Sequence, residues 1–363
     1  MTGTKKDNYY AILMAGGVGS RFWPASKKSS PKQFLDILAV GETLFQTTFK
    51  RLSRLIPQEN IYVLTNEDYV DVIKEQISSI HDDQIVGEPA MRNTAPSILL
   101  GSMKIYDKNP DASIVVAPSD HWIKEEEDFI TALEKAFLEV ENNDKLITLG
   151  IQPNSPNTGY GYIEYDKDEA AEVKPVIKFT EKPGEKKAQE FLDAGNYAWN
   201  AGIFIWRAET IIANFKTHLR EMYDLFAKAE KLLNTTEEKK FIKENYHLAA
   251  NISIDYGIME KSDKVYMIPA SFDWNDLGTW SSVQSELPAD EDGNTLMKAR
   301  VLSKDASNNI ISTSGNKLVV IQGLDDYIIV EDKDVLMIVP KSNEQGIKEW
   351  RKTVMDKFGV ELG

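Results

Sequence analysis

Short β-branched runs alternate with helical patterns through the first part of the chain, and no other feature of the sequence restricts its fold as strongly. YYAILMA is followed by a helical pattern near 42–55, and IYVLT by one near 67–78. A third, near 93–106, precedes SIVVAP, and a fourth, near 126–141, leads to LITLGI. Strands that alternate with helices pair in parallel, because right-handed crossovers return the chain to the same end of the sheet. The expected fold class is α/β, with a mainly parallel, Rossmann-like sheet flanked by helices. Such sheets bind ligands beyond the carboxyl ends of their strands, so the segments after each strand carry the interest.

From residue 160 the texture loosens: YGYIEY, VIKFTEKP and NAGIFIWR read as strands, and a long helical stretch near 208–246 leads to KVYMIPA and DWNDLGTW. After the acidic stretch ELPADEDGNT come the runs NIIST, KLVVIQ, DYIIVE and VLMIVP, separated by turn residues at fairly even intervals. They predict a small all-β module, compatible with a left-handed β-helix-like coil, and a helix near 344–358 closes the chain. The expected division is a large domain over 1–289 and a small β domain over 290–363.

With 42 basic and 57 acidic residues the net charge is -15, which repels polyanions and argues against nucleic-acid or anionic-membrane partners. The absence of cysteine excludes disulfides, zinc–thiolate sites and a thiol nucleophile. No stretch approaches the length needed to span a bilayer, and MTGTKKDNYY has no apolar run behind its lysines, so the expected location is the cytoplasm. The charge is uneven, however. No acidic residue occurs from Asn8 to Leu35, whereas Arg21, Lys27, Lys28 and Lys32 all fall in that window. A small cationic island suits a compact anion such as a phosphate chain.

The island coincides with MAGGVGSRFWPASKKSSPKQF, directly after the first strand. Gly16, Gly17 and Gly19 allow backbone N–H groups to approach phosphate oxygens. The string is neither GxxxxGK[ST] nor a full GxGxxG, and the glycines alone suit a tight turn equally well. Arg21 and Lys32 add the fixed positive charge that an anion site needs, and Pro24 and Pro31 stiffen the loop between them. Lys27 and Lys28 read as a solvated face.

AGGVGSRFWPASKKSSPKQF closely resembles the signature loop of the sugar-1-phosphate nucleotidyltransferases, specifically the mannose-1-phosphate guanylyltransferases. Further segments match in order: EPAMRNTAP at 88–96, APSDHW at 117–122, TGYGYIEY at 158–165, FTEKP at 179–183 with WNAGIF at 199–204, and DWNDLGTW at 273–280. Ser20, Phe22 and Ala201 depart mildly from the pattern, where Thr, Leu and Ser are more usual; no charged position does. The resemblance implies that Arg21 and Lys32 are catalytic and that Ala15, Gly16, Gly17, Gly19, Pro118 and Ser119 line the nucleotide. It implies that Glu88, Arg92, Asn93 and Thr94 read a guanine, and that Tyr160, Gly161, Glu181, Lys182 and Asn200 hold the sugar phosphate. Asp120 and Asp276 would hold Mg²⁺, which takes one or two carboxylates plus phosphate oxygens and waters.

Blander roles stand beside these: a helix cap for Asp120, Asn93 or Thr94, and a surface ion pair for Glu181 and Lys182. His121 reads as structural, and Trp199, Phe204 and Trp206 as core. The implied reaction converts GTP and mannose 1-phosphate to GDP-mannose and pyrophosphate, in an expected homodimer associated through the β module. Another sugar 1-phosphate as substrate, or a catalytically silent nucleotide-sugar-binding relative, is the alternative; retention of Arg21, Lys32, Asp120 and Asp276 weighs against the silent reading. An NAD-dependent oxidoreductase is disfavoured by the missing third glycine and by the absence of any acid but Asp36 over 35–40.

Overall fold

The computed structural model describes residues 7–363; residues 1–6, the start of the segment read as lacking an apolar leader, lie outside the described residues. The described strands are, in chain order, β1 (Tyr9–Met14), β2 (Ile61–Asn66), β3 (Ile85–Glu88), β4 (Ser113–Pro118), β5 (Trp122–Ile123), β6 (Leu146–Ile151), β7 (Tyr162–Tyr165) and β8 (Lys174–Thr180). They continue with β9 (Tyr197–Arg207), β10 (Val265–Pro269), β11 (Trp274–Asn275), β12 (Thr295–Lys304), β13 (Ile310–Gln322), β14 (Tyr327–Asp332) and β15 (Val335–Pro340). Among the described residues no helix is long and apolar enough to cross a membrane.

The chain divides into two compact units, each discontinuous in sequence. The first comprises the chain up to Gly16, Phe49–Ser119 and Ile123–Trp274; the second comprises Gly17–Thr48, Asp120–Trp122 and Asn275–Gly363. These units do not coincide with the expected single cut between 289 and 290. The reason is apolar packing: Phe22, Trp23, Ile37, Leu38 and Leu44 share one core with Leu277, Trp280, Met297, Ile310 and Ile347. The glycine-rich loop from Gly17 onward is therefore part of the same unit as the C-terminal strands.

In the first unit a nine-stranded sheet runs β3-β2-β1-β4-β9-β6-β10-β8-β7. β1 pairs in parallel with both β2 and β4, and β2 with β3, as the alternating pattern requires. β9 lies antiparallel between β4 and β6. The central strands are buried almost throughout, because the helices Thr94–Lys108 and Glu126–Asn142 turn apolar faces to the sheet and short continuous runs such as IVVA need cover on both sides. The stretch read as one long helix over 208–246 is three, Ala208–His218, Arg220–Ala227 and Glu238–Asn245. The gap between the last two contains Asn234 in the left-handed region (φ 58°), which no helix continues through.

The second unit carries the β module. β12 pairs in parallel with β13 (Thr295 opposite Ile310) and β13 with β14 (Ile310 opposite Ile328), with no helix in the connections, and β15 returns antiparallel. Such stacking buries turn asparagines above one another. The Asn309 amide donates to Asn294 Oδ1 (3.0 Å) and to the Leu324 carbonyl (2.7 Å), and its own oxygen accepts from Tyr327 N–H (2.9 Å). Each such bond spares a buried polar group a penalty of about 1–3 kcal/mol. NIIST and KLVVIQ, read as two runs, form one strand; the left-handed Asn316 (φ 54°) interrupts the register with β12, which then resumes. β12 itself, TLMKARVLSK, falls outside the expected runs, because its apolar residues alternate with lysines and an arginine.

Candidate active site

A short 3₁₀ turn, Ser20–Phe22, follows Gly19 in the signature loop. Gly19 has φ 66°, and a Cβ there would collide with Cβ of Lys32, so only glycine lets the two arms of the loop close. Phe22 packs edge-on against Trp280 (5.2 Å), and the Trp23 indole N–H donates to the Leu362 carbonyl (2.7 Å), which pins the loop to its own unit. Lys32 is buried. Its ammonium donates to Asp120 Oδ2 at 3.0 Å and to the main-chain carbonyl of Asp276 at 2.7 Å.

These residues surround a cavity of about 250 Å³ lined by Arg21, Lys32, Asp120, His121, Asp276 and Lys348. Arg21 Nε donates to Gln345 Oε1 at 3.0 Å, and His121 Nε2 lies 3.9 Å from Asp120 Oδ1. Burial works against charge on Asp120, but the Lys32 charge, the neighbouring His121 and the Lys32 hydrogen bond outweigh it and hold the carboxyl below the usual range. Asp276 Oδ1 accepts from Gly278 N–H (3.0 Å), so this carboxylate too has a fixed direction. Asp120 is not a helix cap, since the next helix starts at Glu126. Two oriented carboxylates in a polar cavity fit a hard cation that keeps phosphate and water ligands, the habit of Mg²⁺. Among the described residues no group of three or more acids and histidines forms a fuller cage.

One reading within the loop is overturned. Lys27 is buried and pairs with Asp332 (3.0 Å), whereas Lys28 is exposed as expected for a solvated face. The ion pair joins the signature loop to the end of β14, and burial of a lysine requires such a partner.

In the first unit, Ala15, Glu88 and Pro118–Ser119 stand at the carboxyl ends of parallel strands. Ala15 N–H donates to Leu64 O (2.8 Å) and Ser119 Oγ to Met14 O (2.9 Å), while a Cβ at Gly16 would lie 3.7 Å from Glu88 Oε2. In the second unit, a Cβ at Gly17 would meet nothing within 4 Å. Glu88 accepts a hydrogen bond from the Tyr246 hydroxyl. Burial pushes the Glu88 carboxyl up to about 7, against the opposing pull of the Tyr246 and Ser97 hydrogen bonds. Arg92 Nη2 donates to His247 O (2.6 Å), Asn93 Nδ2 to Asn251 Oδ1 (2.7 Å), and Thr94 Oγ1 accepts from Ile254 N–H (2.9 Å). Asn93 occupies the cap position of the helix with φ 58° but makes no side-chain cap bond.

The remaining predicted residues also cluster in this first unit. The Asn200 amide is fixed at both ends: Oδ1 accepts from Thr148 Oγ1 (3.0 Å) and Nδ2 donates to Asp255 Oδ1 (3.0 Å), while Asn200 N–H donates to Gly161 O (2.8 Å). A side chain at Gly161 would strike Glu181 Oε2. Glu181 accepts from Lys182 Nζ at 2.6 Å, with Glu181 nearly buried and Lys182 largely exposed. Tyr160 packs edge-on against Trp199 (5.0 Å) and Trp274 (5.1 Å). Phe204, Trp206 and Trp199 are buried, in keeping with a core role.

Sequence reading missed Asp255, Tyr246, Gln345 and Lys348. Asp255 opens a π-helical turn, Asp255–Met259, a feature that often marks functional positions. Burial first, and the Glu181 charge second, push its carboxyl up to about 6. The lone acid among the apolar residues of ISIDYGIM is the available signal. Because Glu88 holds its proton in the folded state up to about 7 and loses it near 4.5 when unfolded, folding stability should fall as pH rises across that interval. Urea titrations at a series of pH values should show the fall, and Glu88→Gln should make it shallower, leaving the Asp255 share below about 6; an unchanged slope would place the proton elsewhere.

The profile of the nucleotidyl transferase family matches residues 10–293. The chain is 36% identical over 356 residues to the alginate biosynthesis protein AlgA of Pseudomonas syringae pv. tomato, covering 96% of this chain and 72% of that protein. It is 34% identical over 351 residues to mannose-1-phosphate guanylyltransferase 2 of Escherichia coli O157:H7, covering 93% and 72% respectively. A crystal structure from Thermus thermophilus, described as a mannose-1-phosphate geranyltransferase, superposes with a TM-score of 0.85 at 29% identity over 96% of this chain and 99% of that one. With the family profile covering most of its length, the chain is an enzyme of the nucleotidyl transferase family, alongside relatives that are mannose-1-phosphate guanylyltransferases.

Proposed function

We propose that the enzyme transfers a guanylyl group from GTP to mannose 1-phosphate, releasing GDP-mannose and pyrophosphate. The observation that carries the reading is the meeting of Lys32, Asp120 and the Asp276 main chain around a cationic cavity beside Arg21. A sugar-phosphate oxygen attacks the α-phosphorus, the bond from that phosphorus to the bridging oxygen breaks, and its electron pair leaves with pyrophosphate. The attacking group has a second pKa of about 6 and is largely ionised at neutral pH, so no general base is needed. Arg21 and Lys32 place positive charge where the phosphates gather it, and positioning plus charge neutralisation supply the rate. When held by Asp120 and Asp276, Mg²⁺ supplies further charge to the phosphate oxygens.

The glycine-rich turn of Ala15, Gly16, Gly17 and Gly19 admits the nucleotide, to which Pro118 and Ser119 are also assigned. Glu88, Arg92, Asn93 and Thr94 offer the acceptors and donors that a guanine edge requires. Tyr160, Gly161, Glu181 and Asn200 are assigned to the sugar, and Lys182 to its phosphate; Glu181 and the half-buried Asp255 add hydroxyl acceptors. Lys182 stays protonated for this role, since Glu181 raises its pKa despite the opposing effect of burial. The enzyme is read as cytoplasmic, and the oligomer as a homodimer: Leu302, Leu318 and Val320 stand exposed on β12 and β13, an apolar face that self-association would cover.

Pyrophosphate release should require GTP and mannose 1-phosphate together. Asp120→Asn and Asp276→Asn should each lower it by orders of magnitude and raise the Mg²⁺ requirement, and the double variant should be little worse, because ligands of one ion fail as a unit. Near-normal turnover by either single variant at low millimolar Mg²⁺ would remove that residue from the metal site. For the dimer, light scattering should give a monomer mass for Val320→Lys; a dimer unaffected by charge on this face associates elsewhere.

A further inference from the structure

We propose that Lys348, at the start of the C-terminal helix Ile347–Phe358, is a third phosphate-binding cation that takes the β,γ-diphosphate of the nucleotide and the pyrophosphate it becomes. The inference rests on the nucleotidyl-transfer reading above and assigns to that site a residue outside every signature motif.

Lys348 lines the same cavity as Arg21 and Lys32, all within the second unit. The three cations are not equivalent. Lys32 already directs its hydrogen bonds to Asp120 and the Asp276 carbonyl. Arg21 is held through Nε by Gln345, three residues before Lys348, which leaves both terminal guanidinium nitrogens without a protein partner among the described residues. Lys348 likewise makes no hydrogen bond or ion pair among them. Loss of hydration, and then the neighbouring Arg21 charge, both lower its pKa, as expected for two cations kept together without an anion between them. Cations without protein partners that line one cavity are the charge pattern of a polyanion site.

The helix that carries Lys348 is not a loose surface element. Ile347 is fully buried in the core of this unit, and Glu344 Oε1 accepts from Ser281 N–H at 2.8 Å. The backbone that carries the exposed Lys348 side chain is thus anchored one residue away from a packed side chain. As the bond between the α-phosphorus and the bridging oxygen breaks, the electron pair stays on the leaving diphosphate, and Arg21 and Lys348 are the charges not already balanced by protein carboxylates. The last helix of the chain then completes the phosphate cavity and governs how firmly the product is held.

The test uses the full-length enzyme and inorganic pyrophosphate. Lys348→Ala should weaken pyrophosphate binding by calorimetry about tenfold, the scale of one charge-assisted hydrogen bond. It should raise KM for GTP in the forward reaction, and for pyrophosphate in the reverse reaction with GDP-mannose, by the same factor. KM for mannose 1-phosphate should stay within about twofold, and Lys348→Arg should recover most of the affinity, since either side chain can pair with phosphate. Unchanged pyrophosphate affinity in Lys348→Ala, or an equal rise in KM for both forward substrates without rescue by Lys348→Arg, would overturn the assignment. Those results leave the transfer reaction standing; wild-type enzyme that releases no pyrophosphate would instead overturn the reaction on which the assignment rests.

Discussion

One buried ammonium ion joins all three sequence segments of the second unit. Lys32 binds the Asp120 carboxylate and the main-chain carbonyl of Asp276, in surroundings where an unpaired charge would cost several kcal/mol. The local backbone is shaped around it. Gly19 is left-handed and leaves no room for a Cβ beside Lys32, and Leu277, just after the accepting carbonyl, also has positive φ (45°). Strain of this kind persists where surrounding contacts over-determine it, here the Phe22–Trp280 packing and the bond from Trp23 to Leu362.

The carboxylates of the molecule divide by environment. Asp120, beside Lys32, is held ionised, which suits a cation ligand. Glu88 and Asp255 are partly buried, and loss of hydration pushes them up to about 7 and about 6. These two stand in the first unit with the residues proposed to read the base and the sugar, where a carboxyl poised near neutrality can serve as acceptor or donor. In the proposed reaction, discrimination and charge neutralisation would fall to differently solvated acids.

Local patterns carried much of this into the sequence. The strand–helix alternation, the strand ends at Ala15, Glu88 and Pro118, and the cationic character of the loop are consequences of residues close together in the chain. What stayed hidden depends on distant contacts. Lys27 reads as a solvated lysine until Asp332 is brought beside it. Nothing local to Phe22, Trp23, Ile37 and Leu38 signals that they share a core with Ile310 and Ile347, which is why the two compact units are discontinuous in sequence. Gln345 and Lys348 lie in an ordinary amphipathic segment whose relation to Arg21 is purely tertiary. Asp255 carried a faint signal, a single acid in an apolar run, without the partner Asn200 that gives it meaning.

The proposed chemistry, by charge and position with no protein nucleophile, implies a single displacement at the α-phosphorus. The stereochemical course of transfer from GTP carrying one sulfur of defined configuration on that phosphorus tests this most directly, read in the sugar-nucleotide product by phosphorus NMR. A sugar-phosphate oxygen attacking in line predicts inversion of configuration. Retention would mean two displacements through a covalent enzyme intermediate, and would contradict direct transfer in the Lys32–Asp120 site.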